Sequence, residues 1–226
     1  TILDEIWADV RVEVAAAKQA VPLAEIRARL ADAPPARDFA EALGRGGFGL
    51  IAEIKRCSPS VGPMRKENVD AAAATYAASS HVRAVSILTN RTHFGMGVED
   101  LARLRAALPQ PVLRKDFFID DYQILEARAH GADAILLMAN VLDATQLHDF
   151  HQLALELGME ALFEIHTLDE IAMLPKSARV VGINSRKFKS TSGFVGSTGS
   201  SQKDFSREMS VFDLVTHLPA GCLRVA

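Results

Sequence analysis

Residues 111–139, PVLRKDFFIDDYQILEARAHGADAILLMA, decide the fold. The run PVLRK (111–115) has the apolar start of a buried strand, residues 120–131 suit a helix, and DAILLMA (133–139) is a second apolar run. A strand, a helix and a strand in close succession make a β-α unit with a crossover, the connection that parallel strands need. The apolar runs are continuous more than alternating, as expected of strands covered on both faces.

The same rhythm extends in both directions. Further strand candidates are FGLIAEI (48–54), VRAVSIL (82–88), EALFEI (160–165) and RVVGIN (179–184), and CLRVA (222–226) looks like the opening of a seventh. Helix candidates at 67–80, 99–108 and 143–158 fall between them. The first five strands start roughly 22–34 residues apart, the period of repeated β-α units. A doubly wound sheet and a (β/α)8 barrel both fit this spacing. The sequence has no G-x-G-x-x-G after an early strand, which weighs against a dinucleotide-binding sheet. Strand after strand ends on a charged or amide residue: Glu53 and Lys55, Lys115, Glu164, Asn184. In a barrel those ends form one rim, where catalytic groups collect.

Residues 1–46 have a different texture, Ala-rich and charged, with Ile2, Ile6, Val10 and Val14, then Leu23, Ile26 and Leu30, at helical spacing. Pro22 and the pair Pro34-Pro35 divide them into two helices and a short third segment. The expectation is therefore an α/β chain, a (β/α)8 TIM barrel over 47–226 preceded by a helical extension over 1–46. Residues 190–202, STSGFVGSTGSSQ, break the rhythm with Ser, Thr and Gly, and suit a floppy surface insertion better than a lid.

Composition excludes several classes. With 226 residues, 49% hydrophobic and 23% charged, the chain has enough material for one sizeable core. A formal net charge of −3 offers no electrostatic case for nucleic acid or an anionic membrane surface. No apolar run approaches the ~18–20 residues that span a bilayer. The opening TILDEIWADV is acidic, unlike a signal peptide, and lacks an initiator Met, which fits a start inside a longer chain. Cys57 and Cys222 lie far apart and read as free thiols of a reducing compartment, which places the protein in the cytoplasm. Neither has a His or Cys at ligand spacing, so no metal is expected.

Strand side chains alternate faces, so Glu53 and Lys55 point the same way, as do Leu113, Lys115 and Phe117, and Leu162 and Glu164. Arg114 and Asp116 then point away from the barrel mouth. A rim with two lysines and two glutamates has what general acid–base chemistry needs. A single Lys–Glu pair is ordinarily a structural salt bridge, but four charges and an amide at four strand ends are costly to bury without a task. CSPSVGP (57–63) is as readily a plain turn as a phosphate loop, and NSRKFK (184–189) either neutralises an anion or is a solvated charge run. His166 follows FEI without any companion ligand and is taken as a turn residue, while Trp7 and Phe94 either line a pocket or staple the helical extension down.

Four blocks, IAEIKRCSPS, VLRKDFFIDDYQILEARAHGADAILL, LGMEALFEIH and VGINSR, together resemble indole-3-glycerol phosphate synthase, a (β/α)8 barrel family of tryptophan biosynthesis. The resemblance implies a carboxy-lyase that decarboxylates and dehydrates 1-(o-carboxyphenylamino)-1-deoxyribulose 5-phosphate to close the pyrrole ring of indole. It implies Lys115 as general acid, Glu164 as base-side partner in the dehydration, and Lys55 near the substrate carboxylate or phosphate. Glu53 and Asn184 would orient the lysines and hold the ribulose hydroxyls, with Arg186 near the anthranilate carboxylate. Ser58 and Pro59 match the small turn beside the substrate, and Phe94, Phe117 and Leu136 match the apolar slot for its ring. It implies no cofactor, a phosphorylated small-molecule partner, and a monomer or weak homo-oligomer.

Two features depart from the family pattern. The Glu-Ser-Gly turn after strand seven and the Gly-rich phosphate loop after strand eight are absent, which suggests a natural chain longer by roughly two β-α units, or ~40–50 residues. The alternative is an inactive truncated barrel. The Ser/Gly-rich segment 190–202 is longer than the family pattern. Another phosphate-binding barrel, phosphoribosylanthranilate isomerase, is the rival enzyme, but it relies on a Cys/Asp pair instead of this lysine–glutamate set.

Overall fold

The structure, a computed structural model, describes residues 2–58, 62–64, 68–185 and 209–226. Seven of the apolar runs become parallel strands of one curled sheet. They are β1 (Leu50–Ile54) and, after a small hairpin of β2 (Cys57–Ser58) and β3 (Gly62–Pro63), β4 (Val82–Leu88), β5 (Val112–Lys115), β6 (Ala134–Met138), β7 (Glu160–Ile165), β8 (Val180–Ile183) and β9 (Leu223–Val225). Their order in space, β1-β4-β5-β6-β7-β8-β9, follows their order in the chain. Each of the seven sheet strands lies within two residues of its expected limits, whereas the β2–β3 hairpin was expected as a turn.

Helices α1 (Ile2–Ala20), α2 (Leu23–Arg29) and α3 (Phe39–Gly44) precede the sheet. The crossovers carry α4 (Asn68–Ala78), α6 (Val98–Ala107), α7 (Asp121–Ala129) and α8 (Ala144–Glu156). Three shorter pieces were not expected: α5 (Arg91–Phe94), α9 (Leu168–Ala172) and a 3-10 helix over Met209–His217. Local capping explains the first two. The Asn90 side chain accepts from His93 N and Gly95 ends α5 at φ 71°, while the Thr167 hydroxyl accepts from Glu170 N to start α9.

Period-two alternation divides the sheet into two apolar layers. Ile135 and Leu137, Phe163 and Ile165, Val181 and Ile183 pack outward against the crossover helices. Leu136 and Met138, Leu113, Leu162 and Val180 pack inward with Phe117. On this scheme Glu53, Ser86, Lys115, Glu164 and Asn184 occupy inward positions, and Arg114 an outward one.

The helical extension spans both ends of the curl. Near the C-terminal strand ends, α1 is tied down by Glu13 accepting from Asn90 and Thr92, by His93 beside Asp9, and by Lys18 paired with Asp120 at 2.6 Å. The Tyr122 hydroxyl donates to the carbonyls of Ala17 and Val21 where α1 ends. Near the N-terminal strand ends, Phe39 and Ala40 of α3 join the inner layer. At this same end Asp133, fully buried, accepts from Arg37 N and Val112 N, both at 2.8 Å, and from the Arg105 guanidinium at 2.9 Å. One carboxylate therefore joins the extension, the start of β5 and α6.

Removing a buried partner strands the remaining charge and amides. Asp133→Ala is expected to lower the unfolding free energy by about 3–5 kcal/mol, measured by urea denaturation. A loss below about 1 kcal/mol, the scale of one ordinary hydrogen bond, would show that these donors find other partners.

Candidate active site

A cleft of about 560 Å³ lies inside the curl, and Glu53, Lys115, Glu164 and Asn184 line it together with Leu113 and Leu136. Its geometry follows from strand register. Glu53 lies opposite Ser86 on β4, and Ser86 lies opposite Leu113 on β5, so Lys115 stands two residues further along the same inward face. The Glu53 carboxylate spans this offset. One oxygen accepts from Lys115 Nζ at 2.6 Å, and the other from Lys55 Nζ.

A second cluster forms where β7 and β8 end. Asn184 Nδ2 donates to Glu164 Oε1 at 3.0 Å. Glu164 lies opposite Gly182, where an added Cβ would meet Leu162 Cδ1 at 3.3 Å. A glycine at this inward position lets Leu162 pack close against the β8 backbone. Leu113, Leu136, Leu162 and Phe117 belong to the inner layer, and Phe94 and Trp7 pack against it from α5 and α1.

Of the expected residues, Glu53, Lys115, Leu136, Glu164 and Asn184 therefore converge from β1, β5, β6, β7 and the end of β8, with Lys55 bonded to Glu53, while Phe94 and Phe117 do not line the cleft. Ser58 is buried in the β2 hairpin opposite Gly62. Pro59, Arg186 and the 190–202 segment lie outside the described residues. Arg114 and Asp116 do face away from the cleft, and they are nonetheless buried. Arg114 bonds Thr89, Glu126, Asp116 and the Gln123 carbonyl beneath α7.

Two residues near the site escaped the sequence reading. Ser86 lines the cleft with its hydroxyl buried and without a protein hydrogen-bond partner among the described residues. Alternation along VRAVSIL was the signal for it. His166 lies in the turn between β7 and α9, as expected, but it is not solvated there. Its ring is mostly buried between Glu164 and Glu170. The T-x-x-E spacing of Thr167 and Glu170, a helix-start signature, marked where Glu170 would fold back.

The model of the indole-3-glycerol phosphate synthase family matches residues 3–211. The chain belongs to this family. Synthases of that name from Arthrobacter sp. (strain FB24) and Paenarthrobacter aurescens are 44% and 43% identical over 195 residues, covering 84% of this chain and 72% of theirs. The one from Mycolicibacterium gilvum is 43% identical over 190 residues, covering 84% and 70%. Among solved structures, one of mandelate oxidase aligns with a TM-score of 0.43 at 14% identity over 64% of this chain and 51% of its own.

In this member of the family, burial would raise the Glu53 carboxyl, but the charge of Lys115 and the hydrogen bonds from both lysines outweigh it and hold it below the ordinary range. Its native value then lies below the unfolded one, so its stabilising contribution is complete above about pH 4.3 and is lost as pH falls through the lower native value. Carboxyl-carbon NMR should place the Glu53 midpoint below about 4.3, and Lys115→Ala should move it upward. A wild-type midpoint at or above that reference would contradict the two-lysine account.

Proposed function

We propose that the cleft catalyses the indole-3-glycerol phosphate synthase reaction: 1-(o-carboxyphenylamino)-1-deoxyribulose 5-phosphate loses carbon dioxide and water as its pyrrole ring closes. The observation that carries this reading is the Glu53 carboxylate shared by Lys55 and Lys115, set in the same cleft as Glu164 and Asn184 and floored by apolar side chains. Ring closure needs an acid at a carbonyl oxygen, a base for the protons released later, and a dry slot that holds an aromatic ring against the carbonyl carbon.

Lys115 is assigned the acid's role. Its Nζ–H gives a proton to the substrate carbonyl oxygen while the aryl carbon that carries the carboxylate bonds to the carbonyl carbon. The iminium generated on the substrate's own nitrogen draws in the electron pair of the breaking carbon–carboxylate bond, and carbon dioxide leaves. This is why the chemistry calls on no external cofactor. Dehydration then expels the protonated hydroxyl as water while Glu164 takes up the proton lost from carbon.

Lys55 contacts the substrate carboxylate or phosphate and is placed for a second proton transfer. Glu53, held ionised by two ammonium groups, orients them and is no proton donor near neutral pH. Asn184 steadies Glu164. Phe94, Phe117 and Leu136 supply the ring slot, with Ser58, Pro59 and Arg186 assigned to its margin by family likeness. The partner is thus a phosphorylated small molecule. We take the protein to be a cytoplasmic monomer or weak homo-oligomer whose two cysteines remain free thiols.

Incubation with this substrate should release carbon dioxide and build up indole fluorescence, and Lys115→Ala should lower kcat by about 10²–10⁴-fold. Absence of product from the unaltered chain would overturn the reading. An unchanged rate in Lys115→Ala would remove Lys115 from the acid's role alone.

A further inference from the structure

We propose that His166 is a positioning residue for Glu164, acting from behind the cleft to aim one carboxylate oxygen at the substrate. The proposal rests on the assignment of Glu164 as the base. His166 Nε2 lies 3.9 Å from Glu164 Oε1, and Nδ1 lies 3.5 Å from Glu170 Oε2. The side chains of all three residues retain only 12–13% of their exposure. Both ring nitrogens are buried and outside hydrogen-bond geometry with protein groups among the described residues. Small rotations of the ring would close either contact, and a buried imidazole gains by making them.

The ring's own support is firm. The His166 backbone N–H donates to Glu170 Oε2 at 2.6 Å, and Glu170 N is capped by the Thr167 hydroxyl at 3.2 Å. Burial would raise the Glu170 carboxyl, but the His166 ring and backbone N–H, with Thr167, outweigh it and hold it below the ordinary range. Glu170 is thus a fixed anion that anchors the His166 backbone and lies on one side of the ring, while the other side faces Glu164.

The consequence falls on a single atom. Asn184 Nδ2 and His166 Nε2 both approach Glu164 Oε1, leaving Oε2 as the oxygen not engaged by this pair. Glu164 lines the cleft and His166 does not, so the imidazole acts on substrate only through the carboxylate. Holding one oxygen from the rear fixes the direction of the other, and small misplacements of a base cost large factors in rate.

A double-mutant cycle on the whole chain tests this. His166→Ala should lower kcat by about 10–100-fold with little change in KM, and His166→Gln, which keeps a donor toward Glu164, should recover much of it. In a Glu164→Gln background His166→Ala should cost no further rate, while its effect on Tm persists undiminished. Equal rate losses in both backgrounds, or no loss in the first, would overturn the proposal. A second readout does not depend on turnover: the Asn184 side-chain amide resonances should shift in His166→Ala as Glu164 loosens. Unmoved resonances would overturn the positioning role even if the chain failed to turn over the substrate, a failure that would count against the assigned reaction instead.

Discussion

The rest of the site depends on one carboxylate shared by two ammonium groups. Glu53 reaches from β1 past β4 to Lys115 on β5 while also holding Lys55 of its own strand. This is possible because parallel pairing puts Glu53, Ser86 and Leu113 in one row and lets Lys115 stand two residues beyond. A slip of one residue in either pairing would turn Glu53 or Lys115 to the other face of the sheet. The apolar layers oppose such a slip, since it would exchange Leu136 and Met138 for their outward neighbours. Register, set by hydrophobic burial, thus decides where the charges meet.

Lys115 is held from the outside as well. Its neighbours Arg114 and Asp116 point under α7, where Arg114 bonds Thr89 and Glu126 and Asp116 accepts from the Phe117 amide at 2.9 Å. Gln123 then clamps the following loop, donating to the Phe117 carbonyl and accepting from Ile119 N. Such a network is expensive to bury unless nearly every polar group is paired, and once paired it leaves the strand end little freedom. The lysine and the phenylalanine wall beside it are consequently fixed by contacts on the opposite side of the sheet.

This explains what was legible in the sequence. Strands β1 and β4 to β9 could be placed because continuous apolar runs bounded by polar ends have few other readings. The set Glu53, Lys115, Glu164 and Asn184 followed from polar residues closing successive strands, with alternation placing Lys55 beside Glu53 and Leu113 and Phe117 beside Lys115. Helices α5 and α9 were too short for periodicity to register, and only their capping residues announced them. Asp133 escaped notice because its value lies in partners at residues 37, 105 and 112, whose approach depends on the completed fold. The surroundings of His166 were hidden for a related reason. A histidine without a ligand pattern looks like a turn, and its two carboxylate neighbours come together only when α9 folds back on β7.

The charges give the cleft a direction. On one wall two ammonium groups share a single carboxylate, which leaves a net positive edge; on the other, Glu164 is a carboxylate steadied by an amide. On the proposed function, an anionic aromatic substrate entering between them would have its carboxylate drawn to the lysine side and its releasable protons left toward Glu164. Because Glu53 is held in its ionised form, it is poorly suited to donate a proton in place of Lys115, the proposed acid. Glycine at position 182 lets Leu162 pack close on the cleft side of β8, a contact that a side chain there would disturb. Two similar carboxylates thus differ through their surroundings: Glu53 is held between two cations, and Glu164 bonds one neutral amide, which suits it to the proposed role of base.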